Sequence, residues 1–494
     1  MKKREKKEKR EKERRKSDKK EKNKIQKIIL AFLFLFALSF FIWQHSTWVG
    51  WDFQAYVLNA KYWFNDGNYF EWARPPLVPL LIGLFSLFGL ISLKASEYIF
   101  IIFVVSLHFF SSLKFAERFK LNKLIFYAIS LSPFLLIFGI IEGTELLSLA
   151  LLQLFLAFIN TKKAPLFLGL AFLTRYQNLA FLPLLLFTST KNLKESLKEF
   201  LKSAFIFLLV IFPWFLFNFL ATGNLFTSFM DSYALNIKFR KYAYQPFSIK
   251  DFIIVANYLL PFFILGLVVK GKETFGKKQE SKEKHKKREY LLMLIFFALA
   301  LFSYAGIPIK LPRYLFTALL PIFYFSTSVF EKKPWLTILI LFLSFFPAIA
   351  IQLEINKHLI PKEAYLNIIN EIGPYISDCA LLSNGYIMLN YLDIKTGIHP
   401  RKELIKRKLD EGYRILLLKN VAEPDYVKNE TFLHQFPILK KGKDYILLGN
   451  ESLCAPTKKV NQSYLESISE FYKVVYNETF SVSFYELLFT NKSG

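Results

Sequence analysis

The sequence predicts an α-helical multi-pass membrane protein of about eleven transmembrane helices, followed by a small C-terminal extracytoplasmic α/β domain. Three observations predict it. Hydrophobic residues make up 53% of the 494-residue chain, in repeated apolar runs near the ~20 residues that cross a bilayer as a helix. The net charge of +26 sits in blocks beside those runs, the positive-inside pattern, and this distribution argues against a nucleic-acid partner. After residue 352 the long apolar runs stop, and short strand-like and helix-like segments alternate.

Residues 1–27 carry 12 Lys and 4 Arg against 6 acids and read as a basic cytoplasmic tail, disordered or helical. Residues 28–44 leave it outward; no small-residue cleavage site follows, so this stretch stays as a membrane helix. The loop 45–74 is then outside. The next apolar stretch, 76–92, is interrupted by Pro79, Gly83 and Gly89. If it spanned, Lys114, Arg118, Lys120 and Lys123 would fall outside, so it is placed along the interface or re-entering. The remaining spans alternate: 96–113 in, 124–141 out, and 146–160 in towards Lys162 and Lys163. A short pair, 165–175 and 177–190, has Arg175 near the outer side. Then come 203–220 out, a long outer loop at 221–250, and 251–269 in to a second basic block. That block, 270–289, holds 9 Lys or Arg against 4 acids. Spans 290–306, 314–330 and 335–352 complete the membrane part, giving boundaries of 1–27, 28–352 and 353–494.

In the tail, Cys379-Ala-Leu-Leu-Ser, Tyr413-Arg-Ile-Leu-Leu-Leu and Tyr445-Ile-Leu-Leu-Gly read as strands, and Pro400 to Glu411 has helical periodicity. Five Asn-x-Ser/Thr sequons begin at Asn429, Asn450, Asn461, Asn477 and Asn491, all on the side placed outside; chance matches in an Asn-rich polar domain are the plain alternative. Cys379 and Cys454 are a disulfide if this region is extracytoplasmic, or two thiols if not. No internal repeat, phosphate-binding glycine loop, dinucleotide fingerprint, Ser-His-Asp order or His/Cys metal spacing stands out.

Chemistry-bearing residues gather beside the spans. Asp52 in the first outer loop is a carboxylate placed to act as a base, or a helix N-cap ahead of Phe53, Tyr56, Val57 and Ala60. Arg74 is set by Pro75–Pro76, which fix the chain and start a helix, or is a snorkelling anchor. Glu142 and Glu145 share a helix face at the end of a span. They orient an acceptor, hold a divalent metal, or are solvated turn acids. Arg175 lies between two short apolar segments and needs a carboxylate or phosphate partner at that depth. Arg313, beside Tyr314, starts another span. Arginine grips phosphate by bidentate charge-assisted bonds; the alternative for both residues is an interface anchor.

Six short stretches recur in order over residues 28–330: Asp52 with Tyr56; Arg74-Pro-Pro-Leu; Thr144-Glu-Leu-Leu; Gly169-Leu-Ala-Phe-Leu-Thr-Arg; Thr222-Gly-Asn-Leu-Phe; and Arg313-Tyr with Pro321. Together they resemble the GT-C superfamily of polyprenyl-phosphate-sugar glycosyltransferases, nearest its protein O-mannosyltransferase and lipid A aminoarabinose transferase branch. The resemblance implies an inverting glycosyltransferase whose site faces outward. It would move a sugar from a dolichyl- or undecaprenyl-phosphate carrier to a protein or glycolipid acceptor, without a nucleotide. Asp52 would be the catalytic acid of the first loop and Glu145 that of the second. Tyr56, Arg74, Arg175, Arg313 and Tyr314 would contact substrate. The family's first loop often carries a second acid where this chain has Phe53, which puts a first-loop metal in doubt; a divalent metal at Glu142 and Glu145 stays open. Membrane-surface helices after the first span are also implied. The rival readings are a membrane transporter or lipid flippase, and a non-catalytic scaffold.

Overall fold

A computed structural model describes residues 2–460, except 66, 68, 189–192, 234–235, 237–244, 276–279, 332–335, 359–361, 422–423 and 459. It resolves into two compact units. One holds residues 1–46, 97–225 and 245–355; the other holds 47–96, 226–244 and 356–494.

The first unit is helical. Among the described residues, six helices are long and apolar enough to cross a membrane: Lys24–Thr47, Leu93–Arg118, Glu195–Thr222, Ile249–Phe275, Lys286–Ala305 and Leu339–Lys357. The other apolar segments expected to span are helical but short or broken. They are Lys123–Ser130 with Pro133–Phe138, Glu145–Ala157, Ala164–Thr174, the 3-10 stretch Tyr176–Thr188, and Pro312–Ala318 continuing into Leu319–Phe330.

Burial separates two kinds of helix. In Glu145–Ala157 every residue from Glu145 to Leu156 is buried, and Leu319–Phe330 is buried at all positions but Val329. A helix apolar on all sides lies in the interior of its bundle. Long helices are the reverse. Only 22% of the apolar window in Glu195–Thr222 is buried, and Phe205, Leu208, Leu209 and Phe212 point outward. In water such a face would be a liability; in hydrocarbon it is the solvent-matched one.

Helix Leu260–Phe275 lies hard against Leu319–Phe330. A Cβ at Gly266 would stand 2.0 Å from the Phe325 carbonyl oxygen, so only glycine allows this approach. A buried hydrogen bond between His45 Nε2 and Glu97 Oε2, 2.7 Å long with both side chains 2% exposed, ties the end of the first span to the start of Leu93–Arg118.

The second unit carries a five-stranded sheet. Its strands are β1 Leu381–Ser383, β2 Thr396–Ile398, β3 Arg414–Leu418, β4 Ile438–Lys441 and β5 Tyr445–Leu448, in the order β2-β1-β3-β5-β4. β1 pairs parallel with β2 and β3; β5 is antiparallel to β3 and β4. Side chains alternate between two apolar layers, as pleating requires. Leu382, Ile415, Leu417 and Ile446 pack with Ile405 and Leu409 on one face. Leu381, Leu416, Leu418 and Leu447 pack with Tyr365 and Ile372, from helix Lys362–Ile376, on the other. Burial on both faces explains the unbroken apolar run of β3.

Cys379 and Cys454 are joined as a disulfide. Asn429 and Asn450 lie near β4 and β5 and hold local turns through their side chains; Asn461, Asn477 and Asn491 lie outside the described residues.

The same unit takes in the first loop. Helix Trp51–Phe64 packs on helix Tyr386–Tyr391, and Ala55, Leu58, Tyr69 and Ile387 form a small shared core. Residues 76–92 form no spanning helix. Helix Leu77–Phe85 has 9 residues, about 13 Å long against a ~30 Å hydrocarbon core. It ends in a turn with Leu87, Phe88 and Gly89 at positive φ.

Candidate functional site

In the first loop, helix Trp51–Phe64 is capped by Gly50. Asp52 is therefore not the N-cap; it stands in the first turn, where the helix dipole favours an anion. Its Oδ1 accepts from Arg74 NH1 at 2.7 Å. Arg74 Nε donates to Glu71 Oε2 at 2.6 Å, and Tyr69 donates its hydroxyl proton to the other Glu71 oxygen. Asn59, about two turns along the same helix face from Asp52, brackets the Glu71 backbone: it accepts from Glu71 N at 2.8 Å and donates to Glu71 O at 3.0 Å.

The Arg74 side chain is directed onto carboxylates, not outward as a snorkelling anchor would be. Burial alone would lower its pKa, but the charges of Asp52 and Glu71, with Tyr56, outweigh that and hold it well above the ordinary arginine value. Tyr56 lies with its ring 5.6 Å from the Arg74 guanidinium carbon. Asp52, Glu71 and Arg74 keep 23%, 18% and 20% of their side-chain surface, enough for a ligand to reach them.

The helical unit holds a second group. Glu145, 1% exposed, accepts from Arg175 NH1 at 2.5 Å. The same nitrogen reaches Thr144 Oγ1 at 3.0 Å. Thr144 donates through its backbone N–H and its hydroxyl to the other Glu145 oxygen, both at 3.3 Å. Arg313 NH1 lies 3.3 Å from Glu142 Oε1. The Tyr314 ring lies near both guanidiniums, 5.9 Å from that of Arg175 and 5.2 Å from that of Arg313; Phe316 covers Arg175 at 4.9 Å. Arg175 is the residue that ends helix Ala164–Thr174, so the break between two short segments is what frees it to reach sideways. The partner its depth demanded is Glu145.

Of the residues singled out in the sequence, Asp52, Tyr56 and Arg74 thus form one group, and Glu142, Glu145, Arg175, Arg313 and Tyr314 another. Glu71, Tyr69, Asn59 and Phe316 were not foreseen, and Thr144 was marked only as part of Thr144-Glu-Leu-Leu. Glu71 had a signal: an acid three residues before Arg74, ahead of two prolines that fix the chain. Glu142 and Glu145 fit a divalent ion poorly, since each carboxylate already holds an arginine. Among the described residues no group of three or more His, Cys, Asp or Glu is placed to hold a metal.

Two solved structures share this architecture. Crystal structures of ArnT from Cupriavidus metallidurans, one bound to undecaprenyl phosphate and one in the apo state, superpose with TM-scores of 0.58 and 0.56. Each alignment covers 86% of this chain and 99% of ArnT, at 11% sequence identity. The chain has the ArnT fold. At that identity the likeness speaks for the fold alone. No protein-family model and no curated protein sequence matches the chain. The alignment takes in most of the chain, and the six long apolar helices among the described residues support a multi-pass membrane protein.

Proposed function

We propose that the protein is an inverting glycosyltransferase that moves a sugar from a polyprenyl-phosphate carrier, of the dolichyl or undecaprenyl kind, to an acceptor at the outer membrane face. The observation that carries the reading is Asp52, a partly exposed carboxylate held in the first turn of a loop helix by Arg74, in a chain whose fold matches a protein crystallised with undecaprenyl phosphate.

The chemistry follows from the bond to be broken. The sugar C1–O bond to the lipid phosphate opens, and the phosphate leaves with the electron pair. The acceptor oxygen or nitrogen attacks C1 from the opposite face and gives its proton to Asp52. The leaving phosphate gains negative charge as this proceeds, and preset guanidiniums lower the barrier most where charge develops. On the family resemblance alone, that part is assigned to Arg175 and Arg313. Glu145 and Glu142 hold the two arginines in place until the phosphate competes for them, and the Tyr314 ring lies near both. Tyr56, beside Arg74, offers a ring face to the sugar or acceptor. The positive-inside count supports a cytoplasmic N-terminal tail and an extracytoplasmic segment 353–494.

Purified protein is incubated with a panel of labelled polyprenyl-phosphate sugars, and free polyprenyl phosphate is measured. Turnover with at least one donor, reduced about a hundredfold or more in Asp52→Asn, supports the reading. Movement of a lipid or solute across vesicles with no donor consumed overturns it.

A further inference from the structure

We propose that Glu71 is a positioning residue for the transfer assigned to Asp52, and that the C-terminal segment supports it through Tyr386. The inference rests on the reading of Asp52 as the base and adds a residue not singled out from the sequence.

Arg74 meets two carboxylates through different nitrogens: Nε to Glu71 at 2.6 Å and NH1 to Asp52 at 2.7 Å. A guanidinium is a rigid plane, so fixing its Nε edge fixes the direction in which NH1 points. Released from Glu71, the long side chain regains rotamers, and the Asp52 carboxylate loses a set orientation. Glu71 is itself held at backbone and carboxylate. Asn59 pins its N–H and C=O, and Tyr69 pins the carboxylate oxygen not used by Arg74.

Tyr69, 4% exposed, lies with its ring 5.7 Å from that of Tyr386. Tyr386 also meets Trp51, the neighbour of Asp52, edge-on at 5.7 Å. Both ends of the relay, the residue before Asp52 and the residue that holds Glu71, therefore rest on one side chain from the C-terminal segment.

The charges add a second reason. Two carboxylates share one guanidinium that remains protonated well beyond its usual range. The three groups together keep one negative charge. That suits proton uptake by Asp52 and disfavours a phosphate at this spot, which gives Arg74 an orienting role in place of a phosphate-gripping one. Removing the negative charge at residue 71 would leave the whole guanidinium to Asp52 and make it a weaker base.

The test compares the full-length protein with Asp52→Asn, Glu71→Gln, Glu71→Asp and Tyr69→Phe, reading kcat, donor KM, the pH dependence of kcat and thermal stability. Expected for Glu71→Gln is a loss of kcat of about ten- to a hundredfold at nearly constant donor KM. The acid limb of its pH profile moves to lower pH. Glu71→Asp restores part of the rate and the original limb, and Tyr69→Phe shows a smaller loss in the same direction. If Glu71→Gln does not fold, Tyr69→Phe decides. Asp52→Asn inactive with Glu71→Gln (or, failing it, Tyr69→Phe) at wild-type kcat and limb overturns the positioning role and leaves the base. Wild-type turnover in Asp52→Asn overturns the base and the positioning role together.

Discussion

At the scale of single residues, the sequence offered chemistry-bearing side chains but not their partners. Asp52 and Arg74 stood out because an acid and an Arg-Pro-Pro flank the same loop. That Arg74 reaches Asp52 across 22 positions was invisible, because the intervening turn brings them together and no periodicity encodes it. Glu71 was passed over although its place three residues before Arg74 was visible. His399, at the end of β2, carries a separate consequence. Burial pushes its pKa down to about 4, while in an unfolded chain it would titrate near 6.5. Between those values the unfolded chain binds a proton that the folded one refuses, so stability falls as pH drops from about 6.5 to about 4 and is unaffected above. Thermal unfolding of the protein at pH 7 and pH 5 should show this loss, and His399→Gln should flatten it. An equal pH response in the variant removes the assignment.

At the scale of elements, apolar length identified the helical segments and misjudged their form. Each expected span is helical, but Glu145–Ala157 and Leu319–Phe330 are short, buried pieces. Composition cannot separate an interior helix from one facing lipid, since both are apolar all round. Position 266 tests the packing that does separate them. The contact between Gly266 and the Phe325 carbonyl admits no side chain, and relief requires moving one helix off the other. Gly266→Val should therefore lower the melting temperature of the purified protein by several degrees or prevent its accumulation, an overpacking cost of about 1–3 kcal/mol or more. Normal yield and melting would show that the two helices stand further apart. In the C-terminal segment, strands β1, β3 and β5 were legible as compact apolar runs. β2 and β4, with fewer buried positions, were not, nor was helix Lys362–Ile376, whose turn-by-turn apolar face is interrupted by Gly373 and Pro374.

At the scale of the whole molecule, charge asymmetry and the cysteine pair point to two environments. Orientation is tested with single cysteines added to the native pair: an impermeant thiol reagent applied to intact cells should label Ser452→Cys and spare Lys162→Cys. The opposite pattern reverses the proposed topology. The Cys379–Cys454 bond spans 75 positions, and closing a loop of that length removes about 4 kcal/mol of unfolded-chain freedom in the entropic picture. Replacing both cysteines by alanine should cost up to that amount in the denaturant midpoint of the sheet-bearing unit. An unchanged midpoint would mean that the sheet alone sets its stability.

The packing of helix Trp51–Phe64 against helix Tyr386–Tyr391 also sets an order of events. Roughly 300 residues separate the two, so at ~5–20 residues per second the ribosome delivers the later helix some 15–60 seconds after the earlier one. Until then the earlier helix has only its first-loop neighbours to lean on, helix Leu77–Phe85 and Phe88 among them. The acid it carries would be among the last features to mature, and a polypeptide stopped short of residue 386 would leave the membrane machinery intact in outline yet unfinished at the point where chemistry begins.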